Sequence, residues 1–216
     1  MQASSFIKAD RRELAPEQGR ILLDVAREAI LTGFIGTAGA QPQRADIVSE
    51  VDPPARLRSP GASFVTLLVD GRLQGCVGSL AATRPLFEDV YENARRTAFA
   101  DPRFPPLRLA DIESASIEIS VLSAPHSIDA RTEQQLLGAL RPGLDGLILR
   151  RHERRATFLP KVWETLPEPS DFVRRLKQKM GLPDDFWDAA MVAERYHTRT
   201  VRGPLCRATA APEHGH

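Results

Sequence analysis

The amino-acid sequence predicts an α+β fold built on an antiparallel or mixed sheet with flanking helices. Two pairs of apolar runs are joined by turn signals, at Asp70-Gly71 and across Arg150 to Arg155, as strands of antiparallel hairpins are. Two long stretches, one opening at Pro16 and the other at Pro85, carry apolar residues at intervals of three and four, the helical period. Strands and helices are interspersed without strict β-α-β alternation, which argues against a doubly wound parallel sheet. At 216 residues the chain is long enough for one compact unit with lobes.

In chain order, residues 1–14 read as a flexible segment. Ile21, Leu22, Val25, Ala26, Ala29, Ile30 and Phe34 then form the stripe of an amphipathic helix that Gly33 and Gly36 bring to a close. Residues 37–61 hold Pro42, Pro53, Pro54, Pro60 and Gly61 with little apolar content, the composition of a long irregular connection. Ala62 to Val69 is rich in β-branched and large apolar residues, Asp70-Gly71 signals a tight turn, and Leu73 to Leu80 is the return strand. Both arms are apolar enough to be expected in the middle of a sheet. Thr83 and Pro85 suit the start of a helix bearing Leu86, Phe87, Val90, Tyr91, Ala94 and Ala98, expected to pack across that sheet. Asp101-Pro102-Arg103-Phe104-Pro105-Pro106 stops it in a stiff turn, because a residue preceding proline is driven from the helical region.

Ala115 to Ser123 alternates as a strand, Glu133 to Leu140 reads as a short helix, and residues 147–159 as a second hairpin. Ser170 is placed to cap a helix with Phe172, Val173, Leu176 and Met180 on one face and Arg174, Arg175, Lys177 and Lys179 on the other. Ala189 to Val201 reads as a final strand. From Arg202 there are too few large apolar side chains to offset the entropy of ordering, so 202–216, with Cys206, read as a disordered tail.

Charge and cysteine usage narrow the function classes. With 29 basic and 28 acidic residues the net charge is +1, so no summed field draws the chain to nucleic acid or to a membrane surface. The basic runs Arg150 to Arg155 and Arg174 to Lys179 lack interleaved aromatics for stacking bases and read as solvated faces. Cys76 and Cys206 match no zinc or C-x-x-C spacing and are too few for a disulfide scaffold, which points to a reducing, cytoplasmic compartment. No basic segment followed by an apolar run opens the chain, and no apolar run approaches the ~18 residues that span a bilayer. The histidines show no facing pair for a metal, and neither metal nor cofactor is expected.

The candidate site centres on Leu73-Gln74-Gly75-Cys76-Val77-Gly78, an LxGCxG motif that sets a thiol between two residues without side chains. Glycines in a strand mark a bulge or a place where another backbone or a ligand comes close. A nucleophilic cysteine needs a neighbouring positive charge, which Arg103 supplies if the Asp101 turn folds back over the hairpin. A small buried core residue is the plainer reading of Cys76. Asp101 and Arg103 suit either substrate orientation or satisfaction of the turn's own backbone. Glu118 suits a base raised by burial, or the solvent face of a half-exposed strand. Gln74, Gly75, Gly78, Phe104 and Glu118 complete the candidate ligand-binding set around the candidate catalytic residues Cys76, Asp101 and Arg103.

The ordered segments Leu73 to Ser79, Asp101 to Leu107, Ile117 to Leu122, Gly143 to Ile148 and Thr157 to Pro160 resemble, in sequence and spacing, the AMMECR-domain family. The resemblance runs on through Trp163, Leu176 to Leu182 and Arg195-Tyr196, covering about residues 15–201. It implies an α+β domain of two lobes with the Gly-Cys segment in or near a cleft between them. It also implies a place beside a Memo-family protein and a radical SAM enzyme, as in AmmeMemoRadiSam system protein A. The family usually carries Arg or Lys where this chain has Gln74, which weakens any role that rests on a cation there. Two function classes follow. One is a component that binds a small ligand or a partner segment around Gly-Cys-Val-Gly; the other is an enzyme using Cys76 as nucleophile with Arg103 and Asp101 assisting.

Overall fold

The computed structural model describes residues 14–35 and 53–206. The expected flexible segment up to residue 13, residue 36 with residues 37–52 of the expected loop, and the tail from 207 lie outside the described residues. The chain divides into two compact units, one from residues up to Val121 together with those from Arg199, the other from Leu122 to Thr198.

The first unit opens with α1 (Pro16–Ile35) and the short α2 (Ala55–Arg58). Next come β1 (Pro60–Gly61), β2 (Ser63–Val69), β3 (Arg72–Gly78), β4 (Arg84–Pro85) and α3 (Leu86–Phe99). A single 3-10 turn at Leu109–Asp111 leads into β5 (Ala115–Leu122). The second unit holds β6 (His126–Ile128), α4 (Glu133–Ala139), β7 (Gly146–Arg151), β8 (Arg154–Phe158), a 3-10 turn at Pro160–Glu164, α5 (Pro169–Lys179) and β9 (Val192–Tyr196). The chain returns to the first unit as β10 (Thr198–Pro204). Helices and antiparallel strand pairs mixed in this way make the fold α+β, as the hairpin signals and the lack of strict β-α-β alternation predict.

In the first unit β10, β5, β2 and β3 lie side by side in that order, and β1 pairs with β4 separately. Asp70 and Gly71 both take positive φ, 50° and 73°, the geometry in which a two-residue turn matches the twist of its strands. Val65 and Leu67 of β2 and Ile117 and Ile119 of β5 point to one face, where Leu22, Ala26 and Ile30 of α1 and Val90, Ala94 and Ala98 of α3 bury them. The α3 stripe therefore packs across the hairpin's sheet as its spacing predicts.

Four expectations are corrected. β3 is an edge strand, not a central one, because the segment after α3, rather than a further strand, lies along its free side. Ala189 to Val201 is two strands in two sheets, broken at His197. The ordered chain extends past residue 201, since β10 runs to Pro204, and the N–H of Leu205, itself fully buried, donates to the carbonyl of Ala115 at 2.8 Å. Helix α5 starts two residues early, with Glu168 rather than Ser170 at its N-cap and no side-chain cap; Pro169 fits the first turn because its missing N–H has no intrahelical acceptor there.

Each unit closes around a buried carboxylate. Asp89, in the first turn of α3, accepts from the N–H (2.8 Å) and hydroxyl (2.7 Å) of Ser63, from the Ser79 hydroxyl, and from Asn93 Nδ2 (3.0 Å). It thereby ties the start of β2 and the end of β3 to the helix. Asp145 in the second unit accepts from the N–H of Arg141 (3.0 Å) and its guanidinium (2.7 Å), with Arg195 at 3.6 Å and His197 Nε2 at 3.2 Å. Burial pushes the Asp145 carboxyl up, but Arg141 and Arg195 outweigh it and hold it below the usual carboxylate range.

The basic runs dissolve into local pairs. Arg150 meets Glu194 at 3.1 Å and Arg151 meets Asp188 at 2.7 Å, while Arg154 donates to the Gly181 carbonyl. Lys177, expected on a solvated face, is fully buried and paired with Glu133 at 2.6 Å, fixing α5 to α4. No helix among the described residues is long and apolar enough to cross a membrane.

Two glycines separate by environment. A Cβ on Gly75 falls 2.4 Å from the Thr97 carbonyl oxygen, whereas one on Gly138 meets nothing within 4 Å. Gly75→Ala is expected to cost ~2–3 kcal/mol by overpacking. Gly138→Ala, on a helix surface, should be neutral or stabilising by up to ~1 kcal/mol. Chemical denaturation of the two variants checks this, and equal effects contradict it.

Candidate functional site

The site is built on the return arm of the hairpin. Leu67 pairs with Gly75 and Leu68 with Leu73, so Gln74 is the extra residue of a β-bulge. The bulge frees the Gln74 side chain to donate from Nε2 to the Pro105 carbonyl at 2.7 Å. Neither glycine faces empty space: the Thr97 carbonyl fills the position of a Gly75 side chain, and the Phe64 ring lies 2.3 Å from a Cβ on Gly78. What comes close at Gly75 is the backbone of α3. The Thr97 hydroxyl then accepts from the Val77 N–H at 3.2 Å and donates to the Val65 carbonyl at 3.0 Å.

Between these glycines Cys76 is held by the Asp-Pro-Arg turn. Its N–H donates to Asp101 Oδ2 at 2.9 Å, and its carbonyl accepts from Arg103 Nη2 at 2.8 Å. The two side chains also bind each other, Arg103 Nε to Oδ1 at 2.9 Å and Nη2 to Oδ2 at 2.7 Å. Asp101 is buried, its side chain only 3% exposed, while that of Arg103 is 57% exposed. Phe104 lies beneath the guanidinium, its ring centroid 5.4 Å from Cζ.

The Arg103 side chain, opposed by burial and helped by the Cys76 and Arg103 N–H groups, holds the Asp101 carboxyl far below the usual carboxylate range. Arg103 is correspondingly raised by its bond to Asp101, against the opposing effect of burial. A carboxylate so stabilised is a poor proton carrier at neutral pH.

The thiol lies on the sheet face opposite the helices. Thr66, its register partner, donates its hydroxyl to Cys76 Sγ at 3.3 Å. Glu118 is the register partner of Thr66 on the other side, so Cys76, Thr66 and Glu118 form one row across β3, β2 and β5. Arg202 of β10 extends the row, its Nε 2.8 Å from Glu118 Oε2. Glu118 is buried, contrary to the solvent-face expectation. The structure thus gathers Cys76, Asp101, Arg103, Phe104 and Gln74 on the free side of β3, and places Glu118 two strands away. Sequence reasoning missed Thr66, Thr97 and Arg202. The period of β2 contained a signal for Thr66, a polar residue in register with the thiol once the Asp-Gly turn fixes the pairing. Arg202 carried none, since it lies beyond the last pronounced apolar run. Among the described residues no group of three or more His, Cys, Asp or Glu is placed to hold a metal.

A family model described as AMMECR1 matches residues 23–201. A protein of Methanothermobacter thermautotrophicus is 30% identical over 192 residues, covering 86% of this chain and 94% of its own. Protein MJ0810 of Methanocaldococcus jannaschii is 34% identical over 183 residues, covering 82% and 85%. The crystal structure of Uncharacterized Protein PH0010 from Pyrococcus horikoshii has the same fold, with a TM-score of 0.73 at 28% identity, covering 86% of this chain and 91% of that one.

Loss of the Asp101 carboxylate should destabilise the first unit. Because its pKa is lowered on folding, its contribution is complete above the unfolded value of ~3.9 and fades as the pH falls toward the folded one. Asp101→Ala is expected to cost ~2–3 kcal/mol near neutral pH. The difference from the native chain should shrink below about pH 3. Urea titrations at the two pH values read it, and a difference that grows on acidification contradicts the assignment.

Proposed function

The chain belongs to the AMMECR1 family, and from that premise we propose that it is a binding component whose sheet face around Cys76 takes a small ligand or a segment of a partner protein. The observation that carries this reading is the fixing of Cys76 at both its N–H and its carbonyl by Asp101 and Arg103. A site held in this way is rigid before anything binds, which lowers the ordering cost of association. It offers a thiol, the Thr66 hydroxyl and the Arg202 guanidinium, anchored by buried Glu118, on one face, while Asp101 stays ionised and paired with Arg103. The resemblance to AmmeMemoRadiSam system protein A supplies the partners in this proposal, a Memo-family protein and a radical SAM enzyme in the cytoplasm.

The second reading is an enzyme with Cys76 as nucleophile. Its support is the Arg103 guanidinium, which donates to the Cys76 carbonyl at 2.8 Å and so brings a fixed positive charge to the residue that carries the thiol. In that reading Arg103 stabilises charge and Asp101 only orients it.

Alkylation of the native Cys206→Ser protein with iodoacetamide, followed by mass spectrometry, separates the two. The binding reading expects Cys76 to react no faster than a free thiol at neutral pH; a rate about tenfold or more above it favours the enzyme. Co-purification with the two partner proteins tests binding itself. Thr66→Lys, which sets a long cation on the face, should abolish it, and Cys76→Ser should leave it nearly unchanged. Retention of both partners by Thr66→Lys contradicts the surface.

A further inference from the structure

Edge strands present rows of unpaired N–H and C=O groups that template pairing with another chain. At Cys76 in β3 both outward groups are taken, not by a strand but by two side chains of one turn. The Asp101 carboxylate stands where a neighbouring strand's carbonyl oxygen accepts, and the Arg103 guanidinium stands where its N–H donates. Their mutual bonds at 2.7 and 2.9 Å join them into one donor-and-acceptor unit, the side-chain counterpart of a peptide. Further along the same edge, the bulged Gln74 holds the Pro105 carbonyl. The segment from Asp101 to Pro106 therefore runs along β3 as a strap. It contains Pro102, Pro105 and Pro106, which have no N–H to give, so its own backbone cannot continue the ladder outward.

We propose that this strap is an autoinhibitory contact that keeps β3 from pairing with β3 of a second copy. The occupant follows from the geometry. A residue whose N–H and carbonyl both face outward is self-complementary under a two-fold axis, each copy giving its donor to the other's acceptor. Cys76 is such a residue. With the strap displaced, two antiparallel β3 strands meet at Cys76 with Cα atoms ~5.5 Å apart. The buried carboxylate and its guanidinium form one unit, so removing both leaves no unpaired buried charge, and the double variant is the better probe.

The experiment uses the full chain carrying Cys206→Ser, so that Cys76 is the remaining thiol. Native sequence, Arg103→Ala and Asp101→Ala/Arg103→Ala are compared by light scattering and by a short bismaleimide crosslinker, with circular dichroism as the check of fold. The native strap is expected to give the 23.9 kDa monomer and no crosslink. The double variant should double in mass and crosslink through Cys76, with Arg103→Ala in between. A folded double variant that stays monomeric and uncrosslinked overturns the proposal. So does a native chain that already crosslinks through Cys76, or loss of fold in both variants, which would make the strap part of the core rather than a cover.

Discussion

A carboxylate and a guanidinium two residues apart on a proline-stiffened turn hydrogen-bond both polar backbone groups of one edge-strand residue, and the first unit's site depends on that contact. Asp101 is reached because α3 packs across the hairpin and ends beside β3. That packing in turn requires Gly75, since any side chain there meets the Thr97 carbonyl. A glycine, a helix length and a turn sequence are thus one constraint seen at three places. The thiol owes its position to all three, and its immediate hydrogen-bond partner to the register of β2.

The same physics recurs in the interiors of both units. Burying a charge is costly unless hydrogen-bond partners of the opposite kind surround it: Asp89 and Asp145 are met by donors, and Lys177 donates to the Glu133 carboxylate and the Asp184 carbonyl. Asp89 accepts from Ser63 at the start of β2 and from Ser79 just past the LxGCxG motif, so the far end of β3 is pinned to α3 as Cys76 is pinned to the turn that follows it. Asp145 gathers Arg141, Arg195 and His197, and its carbonyl takes the Trp163 indole N–H at 2.7 Å. These groups hold architecture, which is why an inventory of charged residues alone misreads them as sites.

Periodicity made most of the fold legible. The helical stripes, the Asp-Gly turn with positive φ at both residues, and the alternation of β5 all have local causes, and local causes are written in local sequence. Sheet order is not local. Nothing in the apolar content of β3 says that it lies at an edge, because what covers it is a pair of polar side chains from a turn 25 residues on. Glu118 misled for the same reason: alternation assigns it a face, but its Arg202 partner comes from a strand that runs into the segment whose composition reads as a tail. The Asp-Pro-Arg turn itself was legible as a candidate because its stiffness is local; whether it serves substrate or backbone depends on the distant strand it meets.

Amide hydrogen exchange at Cys76, followed residue by residue, tests the central claim most directly. If the Asp101 carboxylate holds that edge N–H, Cys76 is protected in the native chain like the interior of β2, and Asp101→Ala releases it while Val65 and Leu67 stay protected. Exchange of the Cys76 amide at the rate of an unstructured peptide in the native chain would contradict the account.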